Sequence, residues 1–172
     1  HQKYVGEYDV EYHIDAEGNR LIPDHRPRVV FTGCSFTFGQ GVRDEESFPA
    51  IVAQALSPTI RVANRANLGW GTNHAMIICE EELAKSPPPV AFLYGFIRDH
   101  TQRNYLRKEA HQFSGEKAPF PFFDINDGKP VFKGMMNHGD ANAPNDRETV
   151  DKEIEITQAL IKQLADRCGS QG

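Results

Sequence analysis

The chain of 172 residues has three cysteines, one tryptophan and no long apolar run. The cysteines, Cys34, Cys79 and Cys168, are odd in number and far apart, so they form neither a zinc-ligand spacing nor a disulfide framework. They read as small, mostly buried residues. No apolar stretch reaches the roughly 20 residues that a membrane-spanning helix needs, and no signal-peptide pattern opens the sequence. A start at His1 rather than Met is expected of a processed or trimmed chain, so the opening leaves the compartment undetermined. Positive charge is also short. The 19 Lys and Arg against 24 Asp and Glu leave a net charge of −5, and no basic stripe is present to meet phosphates, which argues against a nucleic-acid partner. The acidic run Asp44–Glu46 reads as a solvated helix start, not as a metal site.

What is present suits one domain with a genuine core. Residues 1–26 read as an N-terminal extension: Tyr8, Val10, Tyr12 and Ile14 alternate on one face before a turn at Asp15–Asn19, the pattern of a hairpin or edge strand. Residues 27–172 form the main domain. A strand is expected at Arg28–Thr32, then a helix with Phe48, Ile51, Val52, Ala55 and Leu56 on one face and Asp44 or Ser47 as caps. "IRVANRA" is a second strand. Thr72 or Asn73 can cap a second helix running to about Ser86, and Val90–Tyr94 is a third strand. This alternation predicts a parallel sheet wrapped by helices. An insertion at about 112–135 carries a hairpin turning on Asp127-Gly128. A long helix follows from about Asn145, with Val150, Ile154, Ile161 and Leu164 on one stripe, and stops near Gly169. Because a strand normally follows such a helix, one or two further strands are expected beyond Gly172.

The chemistry concentrates in "VVFTGCSFTFGQGV", Val29 to Val42. A β-branched and aromatic run is broken by Gly33, which leaves Ser35 just past the C-terminal end of a strand. Ligands bind at that edge in open α/β sheets. A serine hydroxyl is a poor nucleophile near neutral pH and needs a base and a place for the developing oxyanion. Ser35 can offer its own backbone N–H. Gly69, lacking Cβ, lets backbone come close enough to offer a second.

Gly33-Cys34-Ser35-Phe36-Thr37-Phe38-Gly39 resembles the first block of the SGNH (GDSL) hydrolases, usually written G-D-S-x-T-x-G. The position two after the serine is Thr37, which excludes the G-x-S-x-G elbow of α/β-hydrolases. Asn64, Gly69 and Gly71 match a second block, N-x-x-x-x-G-x-G, and "GFIRDH" (Gly95–His100) stands where a third, G-x-N-D, is expected. The resemblance covers roughly Val29 to Asn104. It implies a flavodoxin-like three-layer α/β/α sandwich and a serine esterase that needs no cofactor or metal. Ser35 would be its nucleophile and Gly69 an oxyanion donor. The substrate would be a small-molecule ester, with carbohydrate O-acetyl groups favoured. Asn67, Arg98 and His100 are further candidates for oxyanion or substrate contact, and Arg103 and Asn104 lie in the same run.

The sequence departs from the family in three places. Cys34 replaces the usual Asp, Arg98 falls where the Asn donor is expected, and no Asp or Glu has a His three residues later. The D-x-x-H block that supplies the general base and its Asp is therefore expected beyond Gly172. Two other readings stay open: a binding or accessory domain that has lost the chemistry, and a flavodoxin-type phosphate or FMN binder using the serine loop. Several residues also have plain structural readings. Asn64 would tie down loop backbone, Gly69 and Gly71 would serve positive φ, and His100 would sit at a surface or rim. His74 would line a cleft or face solvent, and Trp70 would be a substrate platform or packing. The oligomeric state is open.

Overall fold

The computed structural model describes residues 2–3, 11–14, 16, 18, 20, 27–108, 110 and 119–170. Tyr8, Val10 and three positions of the expected first turn, Asp15, Glu17 and Asn19, lie outside the described residues, as do residues 111–118 of the expected insertion. The class is mixed α/β, and the chain forms two compact units. One comprises His1–Leu68 and Glu81–Gly95, the other Gly69–Glu80 and Phe96–Gly172.

In the first unit, strands β1 (Gln2–Lys3) and β2 (Glu11–Tyr12) make a short antiparallel pair. The main sheet has three parallel strands, β3 (Arg28–Gly33), β4 (Arg61–Asn64) and β5 (Ala91–Gly95), in the order β4-β3-β5. That is the second-first-third order with which flavodoxin-like sheets begin. Central β3 pairs Val29 with Val62 on one side and with Ala91 on the other, and Val29–Gly33 are all buried. Strand β5 is paired on one side only by these strands, and its Ala91 and Leu93 are exposed. The leading segment extends the sheet beside β4 through antiparallel bridges of Arg20 to Ile14 and to Asn64, as the alternation at Tyr12 and Ile14 suggests.

Helix α1 (Ser35–Phe38) and a short 3-10 turn (Asp44–Glu46) lead to helix α2 (Phe48–Leu56). Val52 and Ala53 of α2, with Ile60, pack on Val29, Phe31 and Val62. The expected apolar face is corrected here, because Phe48 and Ile51 are exposed. The helix carries two adjacent apolar stripes. The one continuing Pro49, Val52, Ala53 and Leu56 at i, i+3, i+4 and i+7 takes the sheet. Glu82, near the end of helix α3 (Thr72–Leu83), is a buried carboxylate met by Arg65 at 2.7 Å, Lys85 at 2.8 Å and Arg28 at 3.3 Å.

The second unit holds the start of α3, helix α4 (Asp99–Arg103), a hairpin of β6 (Phe120–Asn126) and β7 (Lys129–Met136), and helix α5 (Arg147–Gly169). Asp127 and Gly128 turn the hairpin with φ of 49° and 72°, the two positive angles a tight primed turn requires. Asp146 caps α5 by accepting the Thr149 N–H at 2.8 Å.

The buried face of α5 is Thr149, Glu153, Ile156, Thr157, Leu160 and Leu164, whereas Ile154 and Ile161 are 42% and 40% exposed. The expected stripe is thus rotated, because polar side chains that find partners go inside. Arg107 forks onto buried Glu153 with Nε and Nη2 at 2.7 and 2.6 Å from its two carboxylate oxygens. Burial raises the Glu153 carboxyl above its usual range, and Arg107 opposes that rise. Removing the cation strands a buried carboxylate, so Arg107→Ala should cost about 3–5 kcal/mol in urea unfolding. The double variant Arg107→Leu/Glu153→Leu should recover most of that loss.

Candidate functional site: the serine turn

Gly33 ends β3 and Cys34 follows as the N-cap of α1, with extended φ and ψ of −98° and −158° and no side-chain cap bond. Ser35 is the first helical residue. A helix this short has almost no internal bonds: Phe38 N–H donates to Cys34 O at 2.9 Å, and Gly39 and Gln40 N–H both donate to Ser35 O. Amides at a helix head have no partner within the helix. An aspartate at position 34 would offer an oxygen to them, and the thiol of Cys34 does not. Gly39 closes the helix at φ 87° and ψ 48°, the left-handed region, where a Cβ would also strike Arg20 and Ser47.

Two buried side chains hold the end of this turn. Asn64 Nδ2 donates to Thr37 O at 3.0 Å and Phe38 O at 3.3 Å, and its Oδ1 accepts the Ala66 N–H. This is the structural role its position suggested. The other, Arg20, carried no sequence signal. Its Nη1 donates to Phe38 O and, at 2.9 Å, to Gly39 O; Nη2 donates to Val42 O at 3.0 Å; Nε meets Asp44 Oδ1 at 2.7 Å. The guanidinium carbon lies 4.7 Å from the Tyr12 ring centroid and 5.2 Å from that of Phe38. Tyr12 Oη in turn accepts the Gly41 N–H at 2.9 Å. Asp44 also meets His13 Nδ1 at 2.8 Å. Burial pushes the Asp44 carboxyl up, but the bonds from His13 and Arg20 outweigh it and hold the group below the usual carboxylate range.

Beneath the turn, buried Thr37 packs between two strand ends. A Cβ on Gly33 or on Gly95 would collide with Thr37 Oγ1. The glycines at the ends of β3 and β5 and the threonine two past the serine are therefore one packing unit. Among the described residues none hydrogen-bonds the half-buried Ser35 hydroxyl. Ser35 opens onto a cleft of about 470 Å³, lined by Phe36, Gln40, Val42, Glu46 and Phe48 among others. Phe36 is 71% exposed there. Asn67 stands at the same edge of the sheet: its N–H donates to Gly33 O at 3.3 Å, and its Oδ1 accepts the Leu68 N–H at 2.8 Å.

The remaining candidates belong to the second unit. Gly69 has φ 74°, which only glycine adopts without strain. Gly71 does not share that need. It is constrained by space, since a Cβ would lie 2.8 Å from Asn104 Oδ1 and 3.0 Å from Asn73 Oδ1. Trp70 stacks on His74 with centroids 5.0 Å apart and planes 10° apart, and His74 Nδ1 lies 2.9 Å from Asn73 Oδ1.

Arg98 is exposed at the head of α4. His100 is not at a surface or rim: it is fully buried, edge-on to Phe96. Burial, helped by the nearby Arg103 charge, pushes its imidazole down to about 3. Asn104 donates to Thr72 Oγ1 and Thr157 Oγ1 and accepts the Asn73 N–H, and Arg103 Nη1 donates to Trp70 O at 3.1 Å. Asn104 and His100 are thus parts of an interior, and their sequence neighbourhood with Arg98 does not make them site residues. Among the described residues no group of three or more His, Cys, Asp or Glu is placed to hold a metal ion, and no helix is long and apolar enough to cross a membrane.

Compared with known proteins, the chain matches no family model and no curated sequence.

Gly95→Ala should destabilise the protein by about 1–3 kcal/mol through overpacking against Thr37 Oγ1. Adding Thr37→Ala should recover most of that in a double-mutant cycle. Gly33→Ala should be rescued less, because its Cβ would also lie 3.0 Å from Thr37 Cβ and from Gly95 O. A second expectation concerns pH. The folded protein keeps His100 neutral down to about 3, while the unfolded chain protonates it near pH ~6.5. Stability should therefore fall as pH drops from about 6.5 toward 3, by up to ~1.4 kcal/mol per pH unit. Urea unfolding of His100→Gln across this range should lack that component.

Proposed function

We propose that the chain is a serine hydrolase of SGNH type acting on small-molecule esters, with Ser35 as nucleophile. One observation carries this reading. Ser35 sits at the C-terminal end of the central parallel strand, at the head of a helix with no side-chain cap, on an open cleft. The order of its flanking residues supports it, because Gly33, Thr37, Asn64 and Gly95 all serve to build that turn.

In this mechanism Ser35 Oγ attacks the ester carbonyl carbon and its proton passes to a histidine, which then hands it to the leaving alcohol. Water hydrolyses the acyl-serine by the same route in reverse. The Ser35 N–H and the Asn67 side-chain amide, at the same edge of the sheet, are the oxyanion donors. No residue of these 172 stands in a D-x-x-H pattern to supply the base.

A second reading, a binding domain without turnover, is favoured by exposed Arg98 in the place of the Asn donor and by the interior placement of Asn104. A fluorophosphonate probe on the natural-length protein separates the two. The hydrolase reading expects a single adduct by intact mass, lost in Ser35→Ala and formed about 100-fold or more slowly in Asn67→Ala. No adduct in folded protein would overturn catalysis and leave the binding domain.

A further inference from the structure

Cys79 on α3 and Cys168 near the end of α5 place their Sγ atoms 3.8 Å apart, although 89 positions separate them in sequence. One residue further along α3 and one earlier on α5, Glu80 Oε1 meets Arg167 Nε at 2.9 Å. The two helix segments are thus fastened side by side, with the sulfurs facing. Both cysteines are free thiols; Cys79 is buried and Cys168 is half-exposed. Burial, with the neighbouring Cys168, pushes the Cys79 thiol up to about 12, so Cys79 is a poor first nucleophile. The sulfur that a solute meets is Cys168.

We propose that Cys79 and Cys168 form a redox modification site, in which a hydroperoxide converts the two thiols to a disulfide that ties α5 to α3. Cys168 sulfur, as thiolate, attacks one peroxide oxygen; the O–O bond breaks, the other oxygen leaves as water or alcohol, and Cys168 becomes a sulfenic acid. Cys79 sulfur then attacks Cys168 Sγ. The S–O bond breaks, and the hydroxyl leaves as water with the Cys79 proton. The two sulfurs give up two electrons in all, and one peroxide is reduced. A disulfide is about 2.05 Å long, so the sulfurs have less than ~2 Å to close from their present 3.8 Å. Glu80 and Arg167 hold the helices while they do so. This site is independent of the serine turn.

The test is hydrogen peroxide, at a few equivalents, on the whole chain. Intact mass should fall by about 2 Da. Alkylatable thiols in denaturant should drop from three to one, and peptide mapping should join Cys79 to Cys168. Because the closed loop is long, the oxidised form should melt about 5 °C or more above the reduced form, reversibly with a thiol reductant. Cys168→Ser, at a half-exposed position that folding tolerates, should show neither change. Oxygen accumulating on Cys168 as sulfinic acid without the mass loss would overturn the proposal. So would a disulfide that forms only between molecules or through Cys34.

Discussion

A buried guanidinium organises the serine turn. A four-residue helix ends in carbonyls that have no partner within it, and the burial of Phe38 and Gly39 denies those carbonyls water. Arg20 supplies what is missing: its planar fork reaches the carbonyls of Phe38, Gly39 and Val42 and the Asp44 carboxylate at once. A lysine could not match that geometry. The charge itself is sheltered by the faces of Tyr12 and Phe38 and balanced by Asp44. Asn64 completes the set from the end of β4. The loop that presents Ser35 is therefore fixed from below and behind by side chains that never face the cleft.

The second unit follows the same rule with different residues. Asn73, Asn104, Thr72 and Thr157 satisfy one another or nearby backbone, and Arg107 neutralises Glu153. Buried polar groups with complete partners rigidify a core and specify one packing. His100 shows the converse economy, since it is kept neutral by its surroundings and so adds no buried charge.

The elements were largely legible in the sequence, because they rest on local signals. The β-α-β-α-β rhythm, the Asp127-Gly128 hairpin and α5 follow from periodicity, turn chemistry and capping. Legibility failed where a residue's partner is distant. Arg20 looks like any charged residue of a leading strand, and its partners lie 18 to 24 positions away. Glu153 and Thr157 look solvent-facing until Arg107 and Asn104 arrive, so the predicted stripe of α5 ran through Ile154 and Ile161 instead. Phe48 and Ile51 misled in the opposite sense: Ile51 faces away from the sheet, and Phe48 reaches it only by the edge-on contact of its ring with Phe31, 5.6 Å between centroids, while staying 43% exposed. Around Ser35, the glycines and Asn64 were visible as a spaced pattern, but why Gly33 and Gly95 are needed became apparent only from the position of Thr37. The neighbours of Arg98 were over-read: His100 was expected at a surface or rim and Asn104 was grouped with the site by proximity in sequence, whereas both are fully buried.

The parallel pairing of β3 also bears on the order in which the chain can acquire this structure. Arg20 leaves the ribosome before the turn it clamps, so that contact is available at once. Both neighbours of β3 are made later, and the socket under Thr37 is closed only when Gly95 at the end of β5 has emerged. Until then β3 shows an apolar edge with no strand to cover it, the kind of surface on which nascent chains aggregate or engage chaperones. The residue that matters most to the cleft thus gains its final support only when the strand end 60 positions further along, Gly95, has been synthesised.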